Sequence, residues 1–516
     1  MPKQEYKILS FSTTMRNPSR IAKFIEILAH YENHILTHEI IMQIVAKIIK
    51  NRLYETMFEK KFYKDKLENE TEFSDDEIKN IIENSPQKHK EAGFDYGWDS
   101  RFDTWYKLPM EFGFCFYAMN KPILISNVGH MLINAANENP INENKISDIF
   151  LNSMMKYQRN NPFRRVLNQN VPLILLLQTM KNLKIKIGDS KIHRQEIPFF
   201  TCWEDGDSEK LTNFILDFRA KFPSFRYSDD IIYEKALEIL KSSNQKRFKK
   251  VQICGESIDE YIRKMRITRL ISLRGNGRFI DLNSFESEKI DYVLANYSTF
   301  SAFNDKFEFY QFMGEIDNGI LGIASSVDLG LQNDIKLETL QKFATNYTKE
   351  QIYNELSILA HKKSSKDEVF KFIPEPTRFE FLASIALKQN FANLEVLPNY
   401  HIDDEGLPTS HASGNMPDII CDDEKSHSLT EVSLICGRAQ VNNELLPISR
   451  HLKDEISKNI DKQNFAIFVA PKIFDDSKRY VKFIKYDENL DIINLDIENF
   501  IIKLQKSSEI LDLLNV

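Results

Sequence analysis

The chain has 516 residues, of which 28% are charged, with a formal net charge of −7 and five cysteines. At about 100–200 residues per domain this is a multidomain length. The opening Met1-Pro2-Lys3-Gln4-Glu5 is too charged for a signal peptide and the longest apolar run, Leu173 to Leu177, is too short to span a bilayer, so a cytoplasmic protein with no membrane association is expected; cysteines without CxxC spacing exclude a zinc site of that type and suggest reduced thiols.

In chain order, Ile21, Phe24, Ile25 and Leu28 recur at helical spacing, and a second helix opens at Thr37 as cap and continues through Ile40, Ile41, Ile44, Val45 and Ile48. Lys60 to Lys90 is charged and reads as surface helix and loop. Pro122 to Ile133 reads as a strand followed by a capped helix, a winged-helix type of signature and equally that of any small α/β connection. A second unit begins near Ile146, with helices over Ile146–Met155 and Val171–Leu183 and with Phe199, Phe200 and Trp203 as core. Between Lys246 and Arg278 there are ten Lys or Arg against three acids, a surplus that attracts a phosphate backbone, or else a solvated helix face. Within it, Arg274-Gly275-Asn276-Gly277-Arg278 places two glycines between guanidinium groups, so that backbone can approach a ligand closely. Ser287 to Ser365 is helical with few basic clusters. The expected boundaries are 1–145, 146–286, 287–366 and 367–516.

In the last segment, Pro376 to Leu387 reads as a helix capped by Thr377, with Phe381, Leu382 and Ile385 on its apolar face and Glu380 on the more polar side. Two short apolar stretches follow, one around Pro417-Asp418 and one around Glu431, separated by a polar turn over Asp422 to Ser428. Paired as strands, they set two carboxylates at one end of a sheet. Carboxylates held that close repel unless a cation lies between them, and Mg²⁺ is bound by few carboxylates together with waters and phosphate oxygens. The alternative is an exposed hairpin whose acids face water. Gln440 and Glu444 stand four apart, the spacing that stacks side chains on one helix face, and Arg450-His451 follow on the same helix. His451 reads as a structural donor or a proton carrier. Asn464 to Pro471 is a continuous apolar run, as in a buried central strand. No P-loop, GxSxG or dinucleotide fingerprint is present.

These residues resemble the catalytic core of the AlwI-type family of type IIS restriction endonucleases, a branch of the PD…(D/E)xK nucleases that also contains nicking endonucleases. The resemblance extends along the chain. Ser12 to Ile21 resembles the family's "TTxRNPxRI" block and Arg159 to Arg165 its "PNPFRR" stretch, and Tyr261 to Leu270 and Leu273 to Ile280 match further blocks in order. Two positions depart from the pattern: Arg269 stands where the family's "RxTG" has glycine, and Ser433 stands where the superfamily has lysine two residues after the acid.

The resemblance implies a multidomain protein. Its α-rich N-terminal DNA-recognition region would be helix-turn-helix or winged-helix-like, over 1–145 and 146–286. A helical linker over 287–366 and a C-terminal α/β restriction-endonuclease-like nuclease domain over 367–516 would follow. It implies Mg²⁺-dependent hydrolysis of double-stranded DNA outside a short asymmetric site, leaving 5′-phosphate and 3′-hydroxyl ends. Asp418 and Glu431 would hold the metal, with Glu380 and Glu444 completing the catalytic set; with Ser433 in place of lysine, the general base stays open. Arg16, Arg20, Arg164, Arg165, Arg263, Arg266, Arg274 and Arg278 are the expected DNA contacts. Expected partners are double-stranded DNA, a transient homodimer or a small catalytic subunit, and a companion DNA methyltransferase. The alternatives are a strand-specific nickase, the large subunit of a heterodimer, or a DNA-binding protein with an inactive nuclease fold.

Overall fold

The computed structural model describes residues 5–11, 18–68, 71–138, 141–164, 166–323, 327–414 and 416–514. The chain gathers into two units, one comprising 1–67 and 72–325, the other 68–71 and 326–516. Among the described residues no helix is long and apolar enough to cross a membrane, and the cysteines are free thiols.

The first unit is helix-rich. The expected helices form over Pro18–Ala29 and His38–Lys50, the second capped by Thr37, whose side chain accepts from Ile40 N at 3.4 Å. Leu124–Ile125 pairs antiparallel with Cys115–Phe116 and runs into Asn127–Asn137, where Ser126 Oγ caps Gly129 N at 3.0 Å. Phe199, Phe200 and Trp203 are core residues. A three-stranded antiparallel sheet joins Ile192–His193, Phe279–Leu282 and Ile271–Arg274, in that spatial order. Of the expected linker, the helices Ser287–Asn296, Lys306–Gly314 and Asn318–Leu321 fall in this unit; Leu329–Asn346 and Lys349–Ala360 fall in the other.

The second unit opens with α1 (Leu329–Asn346) and α2 (Lys349–Ala360), both packed on α3 (Glu375–Asn390). Thr377 does not cap α3: the helix starts two residues earlier, because Pro376 suits the first turn, where its missing N–H costs nothing. There follow β1 (Glu395–Pro398), a small hairpin of β2 (His401–Ile402) and β3 (Pro408–Ser410), then β4 (Ile419–Asp422) and β5 (Ser426–Val432). The remaining elements are α4 (Leu446–Lys458), β6 (Gln463–Ala470), α5 (Asp475–Glu488), β7 (Ile492–Asp496) and α6 (Ile497–Lys506). The sheet is five-stranded and mixed, in the order β7-β6-β5-β4-β1. β5, β6 and β7 are parallel, whereas β4 runs antiparallel to both β5 and β1.

The apolar run over β6 pairs on both edges, and its residues from Phe465 to Ala470 are buried, as parallel central strands require. β5 begins at Ser426, inside the segment expected as turn, because the turn itself is short: Asp423 Oδ1 accepts from Lys425 N and Ser426 N at 2.8 and 2.7 Å and closes it.

Candidate active site

Asp418 and Glu431 meet across the β4–β5 pair. The register places Ile419 opposite Thr430, so the next step outward sets Asp418 beside Glu431 at the strand ends. The two acids are bound into each other's backbone: Asp418 N donates to Glu431 Oε2 at 3.1 Å, and Val432 N donates to Asp418 Oδ2 at 2.8 Å. His451, on α4, places Nδ1 3.1 Å from Glu431 Oε1. Glu431 is only 8% exposed and Asp418 is half-buried, so neither stands free in water as an ordinary hairpin acid would.

Glu444 arrives by a route the spacing did not show. Val441–Leu445 is a π-turn, with Leu446 N bonded back to Val441 O, so Gln440 and Glu444 do not stack on one face of an α-helix. Gln440 is buried and satisfied on every side: it donates to Ile435 O and Lys472 O at 2.8 and 2.7 Å and accepts from Phe474 N and Ser477 Oγ at 3.0 and 2.9 Å. Glu444 instead accepts from Ser433 Oγ at 2.8 Å. Ser433, read in the sequence as a missing lysine, is therefore the hydroxyl that orients the last acid.

Glu380, on α3, lies 4% exposed, and its Oε2 accepts from Ala412 N at 3.2 Å. No sequence signal marked that loop contact. The four acids act on one another electrostatically. Burial and the charges of Glu380 and Glu431, with a smaller push from Glu444, hold the Asp418 carboxyl well above the usual carboxylate range, opposed by the Val432 N–H. Burial pushes Glu444 up to about 7, against the Ser433 hydrogen bond and with a push from Glu431.

The donor set fits a hard divalent cation: the clustered groups are carboxylate oxygens, and their mutual repulsion is relieved by positive charge. Among the described residues no three His, Cys, Asp or Glu form a ready ligand group. Mg²⁺ does not need one, since one or two carboxylates with waters and phosphate oxygens complete its shell.

The expected DNA-binding residues divide by environment. Arg16 and Arg165 lie outside the described residues. Arg164 donates from Nε to the buried Glu111 at 2.8 Å, Arg266 is 8% exposed, and Arg274 pairs with Asp281 at 3.3 Å. Arg20 and Arg278 are exposed and Arg263 is half-buried. Lys264, in the same basic run, is buried as well, so the run is not one exposed stripe. Gly275, Asn276 and Gly277 all take positive φ, 58°, 55° and 79°, at the hairpin tip that carries Arg278.

A model of the AlwI restriction endonuclease family matches residues 110–321 and 316–502. The chain belongs to this family. It is a site-specific deoxyribonuclease. Similar solved structures include the small subunit of the heterodimeric restriction endonuclease R.BspD6I, at 22% identity over 31% of this chain and 80% of that one, TM-score 0.26. The restriction endonuclease FokI is similar at 12% identity over 99% of this chain and 97% of that one, TM-score 0.26, and FokI bound to DNA at 12% over 100% and 98%, TM-score 0.24. No curated protein matches the chain.

Proposed function

We propose that this AlwI-family chain is a type IIS restriction endonuclease, which hydrolyses double-stranded DNA with Mg²⁺ at a fixed distance outside a short asymmetric site. One observation carries the reading: Glu380, Asp418, Glu431 and Glu444 converge at one end of the sheet, where burial and mutual repulsion hold Asp418 far above its ordinary range. Asp418 and Glu431 are the residues to hold the metal. When bound, Mg²⁺ supplies polarisation of the scissile phosphate and a lowered pKa for an attacking water. Ser433 fixes Glu444 by donating to Oε1, which leaves Oε2 to accept a proton from that water. Glu380 serves as a further ligand or orients the water. Arg20, Arg263 and Arg278 are the DNA contacts the environments favour, and a companion methyltransferase would protect the host's own sites.

The test is cleavage of a supercoiled one-site plasmid. Asp418→Ala and Glu431→Ala should abolish Mg²⁺-dependent cutting while site-specific binding in Ca²⁺ survives; cutting by both variants would overturn the assignment. The reading gives the chain one nuclease centre, so cutting both strands calls for transient self-association. Nicked circles should accumulate at low enzyme, and linear product should rise more than proportionally with added enzyme. Nicked circles as the end product at every concentration would instead make the chain a nickase or the large subunit of a heterodimer.

A further inference from the structure

Lys336, on α1, is 8% exposed, an uncommon place for an ammonium group, since burying a charge costs several kcal/mol unless it is used. Its Nζ donates to Pro398 O at 3.1 Å and lies 5.6 Å from the centre of the Tyr400 ring. One turn along, Thr339 donates to Glu405 O at 2.9 Å, so the helix is clipped to this part of the fold at two points. Pro398 is the residue paired with Ile419, and Asn399 N donates to Asp418 O at 2.9 Å. The ammonium is thus one backbone step from the link that carries Asp418. Its strongest charge partner is Glu380: burial lowers the Lys336 pKa to about 8, and Glu380 opposes that fall. Tyr400 is fully buried, and its ring lies 5.7 Å from that of Phe381, the residue after Glu380, so Lys336, Tyr400 and this turn of α3 adjoin one another behind the acids.

We propose that Lys336 is a positioning residue of the nuclease centre: fixed on Pro398 O, it sets the charge environment of the Glu380 carboxylate and offsets the charge of the four acids from behind. It supplies from a helix the cation that Ser433 does not supply from the strand. The proposal rests on the reading of Glu380 as part of the catalytic set.

Single-turnover plasmid cleavage at saturating Mg²⁺ tests it, with Lys336→Met, Lys336→Gln, Lys336→Arg, Glu380→Gln and the Lys336→Met/Glu380→Gln double variant. Lys336→Met and Lys336→Gln should cleave roughly 30- to 300-fold more slowly with DNA affinity in Ca²⁺ within about twofold, and Lys336→Arg should stay within about fivefold of wild type. The double variant should be no slower than Glu380→Gln alone, because the lysine acts through that acid. Should the Met variant fail to fold, the Gln variant, which keeps a polar end for Pro398 O, decides. Wild-type cleavage by a folded Met or Gln variant, an Arg variant as slow as either, or an additive loss in the double variant would overturn the proposal. Wild-type cleavage by Glu380→Gln would instead overturn the four-acid reading itself.

Discussion

The two ends of β5 carry the same residue types in opposite electrostatic states. At the first end, Asp422 has Oδ1 3.0 Å from His427 Nδ1 and Oδ2 2.5 Å from Lys462 Nζ, while His427 Nε2 lies 3.1 Å from Glu455 Oε2, off the hydrogen-bond axis. Burial would raise Asp422, but Lys462 and His427 outweigh it, and the carboxyl sits below its ordinary range. At the other end, burial and the neighbouring carboxylates all push Asp418 up. Charge that is matched by fixed partners stabilises the fold; charge that is not matched creates affinity for a cation from outside.

The largest effect that sharpens this contrast is that of Asp418→Asn. Cleavage should fall by at least ~10³-fold, as when a transition-state interaction is removed. The metal-free fold, however, should become more stable. The folded pKa of Asp418 lies above its unfolded value, so the native state holds the proton longer, and stability falls as pH rises through the window above the ordinary carboxylate range. Asparagine cannot ionise and still accepts from Val432 N. In chelator the variant should melt higher than wild type at pH 8, with the gap closing toward pH 4; a lower melting temperature at pH 8 would break the contrast.

Asp422→Asn is the mirror case and a smaller one. Its folded pKa is depressed, so it contributes stability above the unfolded value that is lost as pH falls through the folded one. With 29% of its side chain exposed, the variant should lose about 1 kcal/mol at pH 7, discounted for solvent screening, and the loss should fade below the ordinary carboxylate range. Cleavage per folded molecule should stay at wild type. A loss of cleavage without a loss of stability would place Asp422 in the chemistry.

How much of this was legible in the sequence follows from the range of the interactions. Asp418 and Glu431 were readable because strand pairing is a period-two pattern between segments close in sequence, and β6 because a buried strand is a continuous apolar run. Glu444 was legible only through the family's pattern, since a π-turn has the same spacing of residues as an α-helix and aims them differently. Lys336 stood in a stretch that read as linker, because a lysine that contacts the site from a helix far upstream leaves no local signal. In the basic run, composition showed charge but not which charges had partners. Arg278 is exposed at the hairpin tip, with Nε donating to Gly275 O at 3.3 Å, whereas Arg274 is held by Asp281. Arg278→Ala should therefore lower the log–log salt slope of DNA binding by about 0.9, the value of one phosphate contact, and Arg274→Ala should lower thermal stability with the slope unchanged. Equal slopes for wild type and Arg278→Ala would mean that the exposed arginine meets no phosphate.

The smallest expected effect concerns Arg269, the residue that replaces a family glycine. Its φ is 63°, the left-handed region in which a Cβ is strained and glycine is not, so the glycine of the pattern marks a backbone requirement rather than a base contact. The arginine is nevertheless retained in a setting of acids: burial lowers its pKa while Glu286, Asp148 and Glu143 oppose the fall. Backbone strain and charge compensation thus pull against each other at one position. Arg269→Gly and Arg269→Ala both remove the guanidinium, and they differ only in what the backbone needs. The glycine variant should be the more stable of the two by about 0.5–1 kcal/mol in denaturant unfolding, the strain term offset in part by glycine's greater unfolded-state entropy. Both also give up the pull of the three acids on the guanidinium, which only partly offsets the burial that lowers its pKa, so the change from wild type should be smaller than the loss of a fully paired charge would give. Equal midpoints for the two variants would show that the left-handed turn carries no strain here, and a loss as large as that of a fully paired charge would show that the three acids hold the arginine more firmly than its burial opposes.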